Sequence, residues 1–140
     1  MTNPTDILLP CMTLVGWTLC VLLVMPYRRI KAALARQVTA DDFKYGESAN
    51  VPPAVRIPNR NFMNLLEVPV LFYVVGLVAY VTQHVDATAV ALAWSYVALR
   101  VLHSLIHLSY NHVIHRLAVF AASNLVLAVL WGRVLVDLAR

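Results

Sequence analysis

The sequence predicts an all-α membrane protein, a bundle of four transmembrane helices forming one unit over residues 1–140. Composition is the first reason: 61% of the residues are apolar and 13% are charged, whereas a soluble domain carries about 25% charged residues. Mean hydropathy is +0.72. The second reason is length. Four apolar stretches each reach the ~20 residues that a bilayer crossing requires, and backbone in lipid satisfies its own polar groups only as helix or closed barrel.

The first span covers about residues 7–26. It follows an N-terminal segment without basic residues and runs into Met25-Pro26-Tyr27-Arg28-Arg29 rather than a small-residue cleavage site, so it reads as a retained span and not a signal peptide. Cys11 and Cys20 lie nine residues apart within it. That separation is too large for a disulfide along one helix, and both read as small apolar residues. Arg28 to Arg36 extend the helix out of the membrane. The rest of a long connection, residues 27–59, holds Asp41, Asp42, Lys44, Glu47, Pro52, Pro53 and Pro58 and reads as loop. The second span covers about 60–82, with Pro69 expected to kink it. The third and fourth, about 87–110 and 114–136, follow short connections and are expected as antiparallel neighbours.

Charge placement predicts topology. Arg28, Arg29, Lys31, Arg36, Lys44 and Arg56 all lie in the first connection, and Arg100 and Arg116 flank the third, while Gln83-His84-Val85-Asp86 carries neither Lys nor Arg. By the positive-inside rule the first and third connections face the cytoplasm. This accounts for the basic residues without nucleic-acid binding.

Polar residues inside such spans mark function or a partner. Arg60, Asn64 and Glu67 share one face of a helix, with Glu67 ~10 Å deeper than Arg60 at ~1.5 Å per residue. Arg100, His103, His107 and Tyr110 share a face of the third span, and Arg116 opens the fourth. Three guanidinium groups around one deep carboxylate suit an anionic ligand that also carries a cation, because arginine grips carboxylates and a carboxylate takes an ammonium. His103-x3-His107 is also a ligand-pair spacing for a metal, with His115 and Glu67 as further donors. Arg100 and Arg116 would repel a cation there.

The pattern Arg60-x3-Asn64-x2-Glu67-x-Pro69, followed by Arg100-x2-His103 and then Arg116, resembles the signature of the MAPEG family, the membrane-associated proteins of eicosanoid and glutathione metabolism. The resemblance implies a homotrimer of four-helix subunits, here in a bacterial inner membrane, binding glutathione as cofactor between subunits. It assigns Arg60, Asn64, Glu67, Arg100, His103, His107, Tyr110 and Arg29 to glutathione and Arg116 to stabilising the thiolate. It implies transfer of glutathione to lipophilic small molecules, or reduction of them as a peroxidase. Departures exist. His107 stands where the family usually has tyrosine, and Leu117 and Phe120 stand where its prostaglandin synthase branch has serine and tyrosine. A protein that kept the fold without catalysis, its ion pairs serving helix packing and assembly, is the alternative.

Overall fold

The computed structural model describes residues 2–139. A 3-10 turn, Pro4–Ile7, leads into α1 (Leu8–Leu34), followed by α2 (Pro53–Leu66), α3 (Pro69–Val81), α4 (Ala87–Leu108) and α5 (Val113–Leu138). End to end, α2 and α3 make one crossing, so the described residues include four segments long and apolar enough to span a membrane, of 31, 29, 22 and 26 residues. It is an integral, multi-pass membrane protein.

Each helix buries one stripe. Leu14, Thr18 and Val21 point inward from α1, Phe72, Val75 and Ala79 from α3, Ala93, Tyr96 and Arg100 from α4, and Leu127, Leu130 and Val134 from α5. These positions recur at three- and four-residue spacing, the period of one helical face. The outer faces expose Leu19, Leu23, Leu77, Leu105 and Leu125, an apolar exterior that lipid solvates. Gly76 lets α3 approach α1, for a Cβ there would lie 2.7 Å from the Cys11 sulfur. At the end away from the first loop, Asp86 caps α4 by accepting from the Ala89 N–H at 2.7 Å and also meets Arg133 of α5 at 2.5 Å.

The second crossing departs from the expectation of one kinked helix over 60–82. It starts seven residues earlier, at Pro53, and is broken outright after Leu66. Pro53 is tolerated because the first helical residue has no intrahelical acceptor for an N–H in any case. Pro58 lies within the helix and is buried, at the cost of one hydrogen bond. The turns before Arg60 are held because Val55 packs with Ala32, Val38 and Val51 in a small second core, with Phe43 against it. At the break Glu67 has φ −82° and ψ −96°, and Pro69 starts α3 without an N–H to continue the ladder.

The loop is ordered by local bonds. Asp42 accepts from the Thr39 N–H at 2.8 Å, the Thr39 hydroxyl at 3.0 Å and the Ser48 hydroxyl at 2.6 Å. These bonds hold its carboxyl below the usual carboxylate range.

Candidate functional site

The loop-side end of the bundle gathers Arg60, Asn64 and Glu67 of α2 and its break, His107 of α4 and Arg116 of α5 around one open cavity of about 340 Å3, with Asn59 and Met63 completing the wall. Arg60 and Glu67 are exposed, Asn64 and Arg116 half-buried, and His107 buried at the floor. Glu67 forms no salt bridge with any described residue. Arg116 also lines two adjoining cavities. One, of about 210 Å3, includes Arg56, Arg60 and His107. The other, of about 220 Å3, includes Asn64, His103, Val113, Leu117 and Phe120. Arg116 is therefore common to a polar compartment and a more apolar one.

Arg116 is held by the turn that introduces it. Its Nη1 donates to the Asn111 Oδ1 at 2.7 Å, and Asn111 takes the left-handed conformation, φ 47°, that asparagine accepts more readily than most residues. The Asn111 N–H donates to the Ile106 carbonyl at 2.8 Å, closing the end of α4.

Three residues expected at the ligand do not line this cavity. Arg100 is as deep as expected and fully buried, but it does not line the cavity. Its Nη2 donates to the backbone carbonyl of Asn64, and the guanidinium lies 5.5 Å from the Phe120 ring centroid. The break explains this, because the last carbonyls of a helix lack intrahelical donors and Asn64 is among the last four residues of α2. Of the three guanidiniums expected around Glu67, those of Arg60 and Arg116 share its cavity. Arg29 turns to the loop, pairing with Glu47 at 3.1 Å and lying 4.5 Å from the Phe43 ring centroid. Tyr110 is exposed at the turn, its hydroxyl 3.2 Å from His115 Nδ1. His103 is buried 5.7 Å from Phe120 and 6.0 Å from His107, ring to ring.

Sequence reasoning missed Asn61 and Ser104. Both are fully buried, and Asn61 Nδ2 donates to Ser104 Oγ at 2.6 Å across α2 and α4. The signal was present: Asn61 shares the inward stripe of Val55, Pro58 and Leu65.

The cavity presents two guanidiniums and one carboxylate, and the carboxylate is salt-bridged to neither. Among the described residues no group of three or more His, Cys, Asp or Glu side chains is placed to hold a metal ion. No curated protein and no solved structure matches the chain. A family model does, over residues 7–136, and with nearly the whole chain covered the protein belongs to the MAPEG family of membrane proteins.

Proposed function

We propose that the protein is a glutathione-dependent membrane transferase acting on lipophilic electrophiles, with hydroperoxide reduction as the variant activity. The observation that carries this reading is the single cavity holding Arg60, Arg116 and an unpaired Glu67. In this reading Arg60 and Asn64 hold the carboxylate ends of the peptide and Glu67 takes its ammonium. Bound glutathione supplies the nucleophilic sulfur. Arg116, permanently charged, favours the thiolate over the thiol by proximity. Its position between the polar and the more apolar cavity suits a residue that meets a water-soluble thiol on one side and a lipid-soluble acceptor on the other. Assembly as a homotrimer, in a bacterial inner membrane with the first and third loops cytoplasmic, belongs to the same reading. The charge bias of the first loop supports the orientation.

Calorimetry of glutathione binding to the detergent-purified protein tests it, beside the double variant Arg60→Ala/Glu67→Gln. Saturable binding lost in the variant is the expected result. One observation favours a second, non-catalytic reading: Arg116 is already engaged with Asn111, the contact of a turn-stabilising residue. On that reading the wild type binds no glutathione, and the double variant changes only stability.

A further inference from the structure

Asn61 and Ser104 line none of the three cavities that share Arg116, yet they join the two helices that supply most of the site. Asn61 follows Arg60 directly and precedes Asn64 by three residues on α2. Ser104 follows His103 and precedes His107 by three on α4. The 2.6 Å bond between them is fully buried, as are both residues. We infer that this pair is a positioning clasp for the proposed glutathione site, setting the register of the Arg60/Asn64 face of α2 against the His107 face of α4; the inference rests on that functional reading.

The physical case starts from the solvent. Lipid is as apolar as leucine, so no hydrophobic force presses one transmembrane helix onto another, and polar interhelical bonds take a larger share in alignment. The α2 segment needs such alignment because it is short and ends at a break, which uncouples it from α3. A slip of one residue along α2 moves Arg60 by ~1.5 Å relative to α4, and displacements of ~1 Å at a site are costly to binding and reaction. The bond is also placed to resist rotation. Arg100 grips the Asn64 carbonyl three residues further along α2, giving two polar contacts from α4 on successive turns of the same helix.

Glutathione calorimetry and thermal unfolding in detergent test the clasp in five proteins: wild type, Ser104→Ala, Ser104→Thr, Asn61→Ala and Leu130→Ala. Ser104→Ala and Asn61→Ala should each weaken binding about fivefold, the equivalent of an interhelical bond of ~1 kcal/mol. Ser104→Thr keeps the hydroxyl and should stay within about twofold of wild type. Leu130→Ala removes core packing 14 residues along α5 from Arg116; it should lower the unfolding temperature while leaving affinity unchanged, which separates positioning from general stability. Asn61→Ala is the milder lesion, since the freed Ser104 hydroxyl can bond back to a carbonyl one turn earlier, and it keeps the test open if Ser104→Ala does not fold. Wild-type affinity in the folded Ser104 and Asn61 variants overturns the clasp alone. Absence of binding by the wild type overturns the functional reading and the clasp with it.

Discussion

Replacing Arg100 by methionine removes a charge that is fully buried in the bundle, and the structure allows the consequence to be estimated. The guanidinium makes one charge-assisted bond, to the Asn64 carbonyl, worth about 1.5–3 kcal/mol. Its approach to Phe120, 5.5 Å, adds about 2 kcal/mol for a desolvated pair. Against these stand Nε and Nη1, both buried without partners, at about 1–3 kcal/mol each, before the cost of holding the charge away from water. Gains and costs are of similar size. Methionine keeps much of the volume and adapts to the space, so Arg100→Met should change stability by no more than about 2 kcal/mol in either direction. Arg100→Ala leaves a cavity as well, for which large-to-small core changes cost about 2–5 kcal/mol. Thermal and denaturant unfolding in detergent, followed by tryptophan fluorescence, would separate the two variants. If Arg100→Met is as damaging as Arg100→Ala, the reasoning fails, and the guanidinium must be neutralised in the assembled protein by a partner such as Glu67.

Arg116→Ala should reduce conjugation of glutathione to a chlorodinitrobenzene at pH 7 by about tenfold or more, with recovery as pH rises toward the ordinary thiol pKa of ~8.5; rate–pH profiles of wild type and variant check this. Loss of the charge-assisted Arg116–Asn111 bond should lower stability by no more than about 1.5–3 kcal/mol, so rates normalised to the folded fraction still show the activity loss. Asp42 has a lowered folded-state pKa, so its contribution to loop order is fully present above the unfolded value of ~3.9 and disappears as pH falls through the lower folded value. Hydrogen exchange should accordingly show Thr39 and its neighbours opening at acid pH, and Asp42→Ala opening them at neutral pH as well. Gly76→Ala should cost about 1–3 kcal/mol of stability by crowding the Cys11 sulfur, and Cys11→Ala in the same chain should restore most of it, as melting of the single and double variants would show.

The crossings were legible because lipid permits so few backbone solutions. Apolar length alone located α4, α5, the start of α1 and the end of α3 to within a few residues; the end of α1 at Leu34 lies in the basic extension beyond its apolar span. The start of α2 was hidden by proline. Pro52, Pro53 and Pro58 read as loop, whereas a first-turn proline costs a helix nothing and Val55 had packing partners in Ala32, Val38 and Val51 that are distant in sequence. At the site, helical spacing put Arg60, Asn64 and Glu67 on one face, and the cavity gathers all three. Arg100 shows what spacing cannot convey. Its depth followed from position, but its direction depends on a free carbonyl at Asn64, which exists only because the helix breaks after Leu66. Asn61 was passed over because it lies off the Arg60/Asn64/Glu67 face, although its place in the inward stripe of Val55, Pro58 and Leu65 is the better sign of an interhelical bond.

The break also sets how far polar chemistry reaches into the membrane. Above it, α2 carries Arg56, Asn59, Arg60, Asn61 and Asn64; below it, the only side-chain polar atoms of α3 are the tyrosine hydroxyls of Tyr73 and Tyr80. Glu67 stands at the boundary, where the backbone has left the helical conformation. A charged peptide drawn to the Arg60 side therefore meets no further partner on this crossing beyond Glu67. Under the proposed function its sulfur is stopped at that level, where Arg116 borders Val113, Leu117 and Phe120. An acceptor dissolved in the bilayer reaches the same level from the apolar side, so the reaction requires neither partner to cross into the other's solvent.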